Sequence, residues 1–144
     1  MEKSVMYAGE QIKTFIPQRE PILMVDKLFQ VSDSDVETGL TIADNNIFVD
    51  GNMFCEPGII EHIAQSSAVF AGYNDWINKR PISLGYIGEI KKFNLEFLPK
   101  IGDNLVSYLS VVSQALNITL MNATTKVDDK IVATCKIKIF MDKK

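Results

Sequence analysis

The chain has 144 residues, of which 47% are hydrophobic and 23% are charged, and its net charge is -3. A chain of this size and composition can bury a core of its own and differs from disordered segments. Its lysines are scattered, which argues against a nucleic-acid surface, because phosphate binding needs a concentrated basic patch. One histidine and two distant cysteines, Cys55 and Cys135, predict no metal site and two buried free thiols.

No segment of the sequence is predicted to enter a membrane. The N-terminal residues contain no apolar h-region, and no later run of about 18 apolar residues could span a bilayer. These features predict a cytoplasmic protein with neither a nucleic-acid nor a membrane partner.

The first part of the chain predicts a short helix, two strands and an irregular loop. Ile12 and Phe15, three positions apart, predict an amphipathic helix that Pro17 ends and that covers the core without joining it. Branched apolar residues and an alternating pattern predict the two strands, which the polar turn "SDSD" joins. The predicted elements are the helix at 9–15, the strands at 21–31 and 36–43, and the loop at 44–58.

The rest of the chain predicts one long helix followed by strands. Residues 57–79 are apolar or small on almost every side, which predicts a helix enclosed by other elements. Alternating and β-branched residues then predict strands, with a hairpin turn at Asp128 and Asp129. These strands lie at 82–90, 91–98, 104–114, 118–127 and 130–141. Strands segregated around a single helix predict an α+β fold.

Glu61 is the candidate acid/base residue on the long helix. Glu61 and Gln65 are four positions apart and share a face, whereas His62 is rotated by about 100° and points elsewhere. A buried carboxyl group is useful as a general acid or base, because burial disfavours its charged form. The alternative is that Glu61 only interacts with the positive end of the helix dipole. For His62 the sequence predicts a hydrogen-bonded structural role on the reverse face.

Four stretches of the sequence occur in the order typical of one known family. They are "IPQREPILMVDKLF" at 16–29, "NNIFVDGN" at 45–52, "GIIEHIAQSSA" at 58–68 and "LGYIGEIKKFNLEFLPKIGD" at 84–103. They resemble the hotdog-fold 3-hydroxyacyl-acyl carrier protein dehydratases of the FabZ type. Within that superfamily the chain most resembles the ApeP-like dehydratases of aryl-polyene and similar pigment clusters. The resemblance implies a single hotdog domain over residues 1–144, in which a curved antiparallel sheet wraps a long central helix.

The resemblance also assigns roles to residues of the helix and of the preceding loop. Glu61 corresponds to the catalytic acid/base of the family, and Gln65 to its helix glutamine. FabZ-type enzymes pair that carboxyl group with a histidine from a loop of the other subunit. Here Asn52 occupies the place of the histidine. Glu61 and Asn52 are therefore the predicted catalytic residues.

Gln65 and three further residues, Gly58, Ile59 and Phe93, are predicted to bind substrate. The N–H groups of Gly58 and Ile59 lie at the N-terminus of the helix, where the dipole favours the developing charge of a thioester oxygen. The alternative for Gly58 is a tight turn into the helix. Phe93 is a candidate for the wall of an acyl tunnel, and the alternative is a core residue.

The implied reaction eliminates water from a 3-hydroxyacyl thioester to give a trans-2-enoyl thioester, in fatty-acid or polyene biosynthesis. The acyl group is expected on acyl carrier protein or coenzyme A, with no other cofactor, and the protein is expected to be a homodimer. Without the histidine, Glu61 could transfer both protons, with Asn52 or Gln65 holding the hydroxyl group or a water. Two alternatives stay open, a hotdog acyl thioesterase and a catalytically weak subunit that binds the carrier protein or pairs with a histidine-bearing homologue.

Overall fold

The computed structural model describes residues 3–82 and 85–141. Short and long strands surround one long helix in this part of the chain. The elements in chain order are β1 (Tyr7–Ala8), a 3-10 helix (Gly9–Thr14), β2 (Lys27–Val31), β3 (Asp35–Thr41), β4 (Val49–Asp50), β5 (Met53–Phe54), α1 (Glu56–Ile77), β6 (Gly85–Leu95), β7 (Asn104–Ala115), β8 (Ile118–Val127) and β9 (Lys130–Met141).

Seven of the strands form one antiparallel sheet in the order β1-β2-β3-β7-β8-β9-β6, and β4 and β5 form a small separate ribbon. Helix α1 contacts β3, β7 and the edge strand β6. In a flat sheet β6 and β7 would be roughly 14 Å apart, since neighbouring strands are separated by about 4.8 Å. Helix α1 contacts both strands, as expected of a sheet that curls around it. The predicted α+β hotdog architecture is confirmed.

Helix α1 has a proline in its first turn, and its two sides are buried to different extents. Pro57 suits its first turn, and the N-cap residue Cys55 has an extended backbone. One side of the helix, including Ile59 and Ile63, is buried in the core. A stripe on the opposite side is only half-buried, and its residues are Ile60, Glu61, Ala64, Ala68 and Ala71. The prediction of an enclosed helix therefore holds for one side of α1 within a single chain.

The N-terminal segment is more deeply packed than predicted. The short helix is a 3-10 helix, and Ile12 and Phe15 are 0% and 1% exposed, so both are core residues instead of a cover. The carbonyl oxygen of Phe15 packs directly against Gly72 of α1, where an added Cβ would lie 1.9 Å from it. The buried thiol expected at position 135 is confirmed, whereas Cys55 is partly exposed at the start of α1.

Two predicted strand boundaries were wrong. The strand expected at 21–31 forms only from Lys27 onwards, because backbone groups of Ile22 and Met24 bond to side chains of α1 instead of to a neighbouring strand. The strands expected at 82–90 and 91–98 are one strand, β6, with a bulge near Lys92, whose φ is 54°. Residues 83 and 84 of that prediction lie outside the described residues.

The predicted hairpin between β8 and β9 is confirmed. Asp128 and Asp129 have φ angles of 50° and 67°. Positive φ at both central residues is the geometry of a two-residue type I′ turn, which matches the twist of the strands that it joins.

Candidate functional site

Glu61 lies in the second turn of α1 and is half-buried on the incompletely covered stripe. Its Oε2 atom accepts a hydrogen bond of 2.7 Å from Nε2 of Gln65, one turn later on the same face. Gln65 itself is 1% exposed. The structure thus brings the predicted acid/base residue and the helix glutamine together.

The orientation of the Gln65 amide is determined by the backbone that crosses the helix. The N–H group of Met24 donates to Oε1 of Gln65 over 2.6 Å, so Oε1 must face Met24. The hydrogens on Nε2 then point to the carbonyl oxygen of Ile22, at 2.8 Å, and to Glu61. Within the described residues, Oε1 of Glu61 has no hydrogen-bond partner. The carboxyl group therefore has one fixed oxygen and one oxygen open to a reactant.

His62 is fully buried on another side of α1 and both of its ring nitrogens are occupied. Nδ1 lies 2.7 Å from the carbonyl oxygen of Met24, which can only accept, so Nδ1 carries the proton. Nε2 then accepts from the hydroxyl of Ser107 at 2.9 Å, and that hydroxyl lies 2.6 Å from Thr125. Burial lowers the pKa of His62 to about 4. The predicted structural role of His62 is confirmed.

Asn52 lies in the exposed turn between β4 and β5. Its backbone carbonyl accepts a hydrogen bond of 3.1 Å from the N–H group of Ile101, which fastens the turn to the neighbouring loop. In residues 3–82 and 85–141, no hydrogen bond joins the Asn52 side chain to Glu61. The catalytic role of Asn52 therefore stays a prediction, and it concerns a site shared between subunits.

The predicted oxyanion donors already have a partner within the chain. The N–H groups of Gly58 and Ile59 both donate to the carbonyl oxygen of Cys55, at 2.9 and 3.3 Å. A Cβ at Gly58 would lie 2.6 Å from atoms of Phe48 and Phe54, so packing alone requires glycine here. Binding of a thioester oxygen by these amides stays a prediction, and it requires them to share their hydrogens with the Cys55 carbonyl.

Phe93 lies on β6 and is partly buried against the hydrophobic core. On the core side of α1, the apolar residues Ile63 and Phe70 are 1% and 6% exposed. These side chains fill the space between the helix and the sheet. A role for Phe93 in binding an acyl chain stays a prediction.

Neither a metal cluster nor a membrane span is found in the part of the chain that the structure describes. No group of three or more His, Cys, Asp or Glu residues there could hold a metal ion. None of the described helices is long and apolar enough to cross a membrane.

The residues that sequence reasoning missed are those that hold Gln65 and His62. Ile22 and Met24 act through backbone atoms, and Ser107 and Thr125 come from two strands of the sheet. Nearly every residue has a backbone N–H and C=O, so the side chains of Ile22 and Met24 gave no indication of this role. The alternation of β7 and β8 does predict inward-facing hydroxyls, but not which helix residue they meet.

Comparison with known proteins places the chain in a family. The family model of the ApeP-like proteins, described as ApeP dehydratase, matches residues 10–144. The 3-hydroxyacyl-acyl-carrier-protein dehydratase FabZ of Acinetobacter baumannii is 29% identical over 136 residues, covering 90% of this chain and 92% of the relative.

Two solved structures share the fold. The dehydratase heterocomplex ApeI:P from Xenorhabdus doucetiae has a TM-score of 0.85 at 16% identity, covering 92% of this chain and 91% of that one. A hypothetical thioesterase protein with coenzyme A from Streptococcus pneumoniae TIGR4 has a TM-score of 0.66 at 13% identity, covering 80% and 84%. At these identities the two structures show the fold alone.

The match of the family model extends over nearly the whole chain and includes the helix that carries Glu61 and Gln65. The resemblance read from the sequence is thereby confirmed. The chain belongs to the ApeP-like dehydratase family, and its function is dehydratase-like.

Proposed function

We propose that this chain is a subunit of a dehydratase that removes water from a 3-hydroxyacyl thioester presented by acyl carrier protein. In this proposal Glu61 is the acid that protonates the departing hydroxyl, and a histidine-bearing homologue supplies the base. The main support for the proposal is the hydrogen bond by which Gln65 holds one oxygen of the Glu61 carboxyl group. The chain's only histidine is buried, with both nitrogens occupied.

The reaction needs two proton transfers. A base removes a proton from C2, the electron pair of that C–H bond forms the C2–C3 double bond, and the C3–O bond breaks. The hydroxyl leaves as water after it receives a proton from Glu61, and the product is the trans-2-enoyl thioester. The amide groups of Asn52 and Gln65 cannot accept the C2 proton at neutral pH, and in this proposal an ionisable group of the partner subunit takes it.

Surfaces beside the site support pairing with a second subunit. In the described part of the chain, the eleven-residue strand β6 pairs only with β9 and leaves its other edge open. An open edge of this length tends to pair with another chain. The half-buried stripe of α1 that includes Glu61 and Ala64 is also incompletely covered. The likeness to the dehydratase heterocomplex ApeI:P from Xenorhabdus doucetiae supports a non-identical partner.

A homodimer in which Glu61 makes both transfers remains the alternative within the same reaction. It needs one carboxyl group to take the C2 proton and return it to the hydroxyl. The thioesterase alternative is supported by fold likeness alone, so we do not adopt it.

The test compares this chain alone, a histidine-bearing homologue from the same genome alone, and their equimolar mixture. Each is incubated with a 3-hydroxyacyl carrier-protein thioester, and enoyl product and free thiol are followed together. We expect enoyl product from the mixture, loss of that product with Glu61→Gln, and gain of activity by the isolated chain with Asn52→His. Equal dehydration by the chain alone would support the homodimer, and thiol release would overturn the proposal in favour of a thioesterase.

A further inference from the structure

We infer that His62 is a positioning residue for Glu61 and that it acts through the backbone of Met24. The inference deepens the proposed function and depends on it, because it concerns the same carboxyl group. The segment that transmits the effect consists of residues 22–25, which cross over α1 and are called the strap below. Backbone groups of Ile22 and Met24 bond to a side chain of α1. The side chains of Met24 and Val25 are buried in the core.

Two helix side chains bind opposite groups of one strap residue. Gln65 accepts from the N–H group of Met24 at 2.6 Å, and His62 donates to its carbonyl oxygen at 2.7 Å. His62 and Gln65 are 0% and 1% exposed, and Met24 is 1% exposed. Both bonds are therefore shielded from water, and losing either would leave a buried polar group without a partner.

The position of Met24 determines which end of the Gln65 amide faces Glu61. The Met24 N–H group requires the amide oxygen on its side, which turns Nε2 towards the carboxyl group. If the strap moves away, this constraint is lost and the amide can rotate by half a turn. The amide oxygen, which can only accept, would then face Oε2 of Glu61, and the hydrogen bond that Gln65 donates to Oε2 would be lost.

His62 is itself fixed by the sheet. Its Nε2 atom accepts from Ser107 on β7, and the Ser107 hydroxyl is bonded to Thr125 on β8. Two adjacent strands thus set the position of the ring, and the ring sets the position of Met24. The continuous series of hydrogen bonds runs from the sheet through His62 and the strap to Gln65 and Glu61. An apolar side chain of the same size at position 62 would fill the space but would not hold Met24.

A second hydrogen bond between helix and sheet provides a matched control. Thr38 of β3 lies 2.6 Å from the hydroxyl of Ser66, which donates to the backbone carbonyl of His62. Thr38 and Ser66 are fully buried, as His62 is. Within the described residues, this pair links α1 to the sheet and forms no hydrogen bond with the strap. Thr38→Val therefore removes a comparable buried bond and leaves Met24 held.

The experiment measures His62→Phe and Thr38→Val in the complete dehydratase complex. Both variants are expected to lower stability towards denaturant. Only His62→Phe is expected to lower kcat, by about tenfold or more at a similar KM, because small misplacements of a catalytic group are costly. Hydrogen exchange of the Met24 amide is expected to accelerate in His62→Phe alone. His62→Gln, which restores an N–H donor, should recover part of the lost kcat.

Equal losses of kcat in His62→Phe and Thr38→Val would overturn the inference, as would an unchanged kcat in folded His62→Phe. If His62→Phe does not fold, Ser107→Ala removes the outer partner of the ring and takes its place. Unchanged kcat and unchanged Met24 exchange in that variant would also overturn it. Absence of dehydration by the wild-type complex would instead overturn the proposed function, and the Met24 exchange rates would still test the strap.

Discussion

Gln65 donates an amide hydrogen to Oε2 of Glu61 over 2.7 Å, across one turn of α1. The bond connects two residues that the sequence places four positions apart, the spacing at which helix side chains meet. Because Gln65 is buried and Glu61 is half-buried, the bond also marks the boundary between the core and the open side of the helix. The proposed acid/base residue is thus held directly by a neighbour on its own helix.

Replacing Glu61 by glutamine should remove activity without unfolding the protein. Glu61→Gln is expected to lower the rate of dehydration by about 10²–10⁴-fold, the usual contribution of a positioned acid or base. Its side-chain oxygen can still accept from Gln65, so the melting temperature should change little. Glu56→Gln is the matched control, because Glu56 lies in the first turn of the same helix and is exposed. Equal activity losses in the two variants would contradict the assignment.

Gln65→Leu should destabilise the fold as well as the site. The variant leaves the N–H group of Met24 and the carbonyl of Ile22 without their partner, and each such buried group costs about 1–3 kcal/mol. Denaturant unfolding of the variant would measure the loss in the free energy of unfolding. The control is Gln114→Leu, because Gln114 is exposed on β7 and its bond to Thr119 is 3.2 Å long. A control loss as large as that of Gln65→Leu would contradict this account.

Stability should decline in acid because His62 cannot be protonated in its buried site. Burial lowers its pKa in the folded state to about 4, from about 6.5 in the unfolded chain. The unfolded state therefore binds a proton that the folded state rejects. The contribution of neutral His62 to the free energy of unfolding is fully present above pH 6.5. It is lost as the pH falls towards 4, and the loss is on the order of 3 kcal/mol in total. Urea unfolding across this range should show a weaker pH dependence in His62→Phe than in the wild type.

Gly72→Ala should be more damaging than Gly88→Ala. A Cβ at Gly72 would lie 1.9 Å from the carbonyl oxygen of Phe15, and backbone cannot move aside cheaply. We expect a loss of about 3 kcal/mol from this overpacking. At Gly88 the obstacle is the ring of Phe140, which is 37% exposed and can rotate outwards. Thermal unfolding of the two variants compares them, and equal losses would show that the helix can shift away from Phe15.

Much of the fold could be predicted because it depends on local patterns. Alternation predicted β3, β7, β8 and β9, and continuous apolar character predicted α1 to within two residues at each end. The pair Asp128 and Asp129 predicted a hairpin turn that forms. Residues 21–26 were misassigned because their apolar composition suits a strand, whereas backbone groups of Ile22 and Met24 bond to helix side chains. The single domain over residues 1–144 and the homodimer stay predictions.

The sequence by itself determined the helix that carries the site and the pairing of Glu61 with Gln65, because residues four apart on a helix always share a face. It also separated Glu61 from His62 by the same geometry. Only the tertiary structure decided what holds these side chains in place. The Gln65 amide and the His62 ring meet the backbone of Met24, which lies 41 and 38 positions earlier in the chain. Backbone groups are common to every residue, so only the path of the chain in space could select Met24 as their partner.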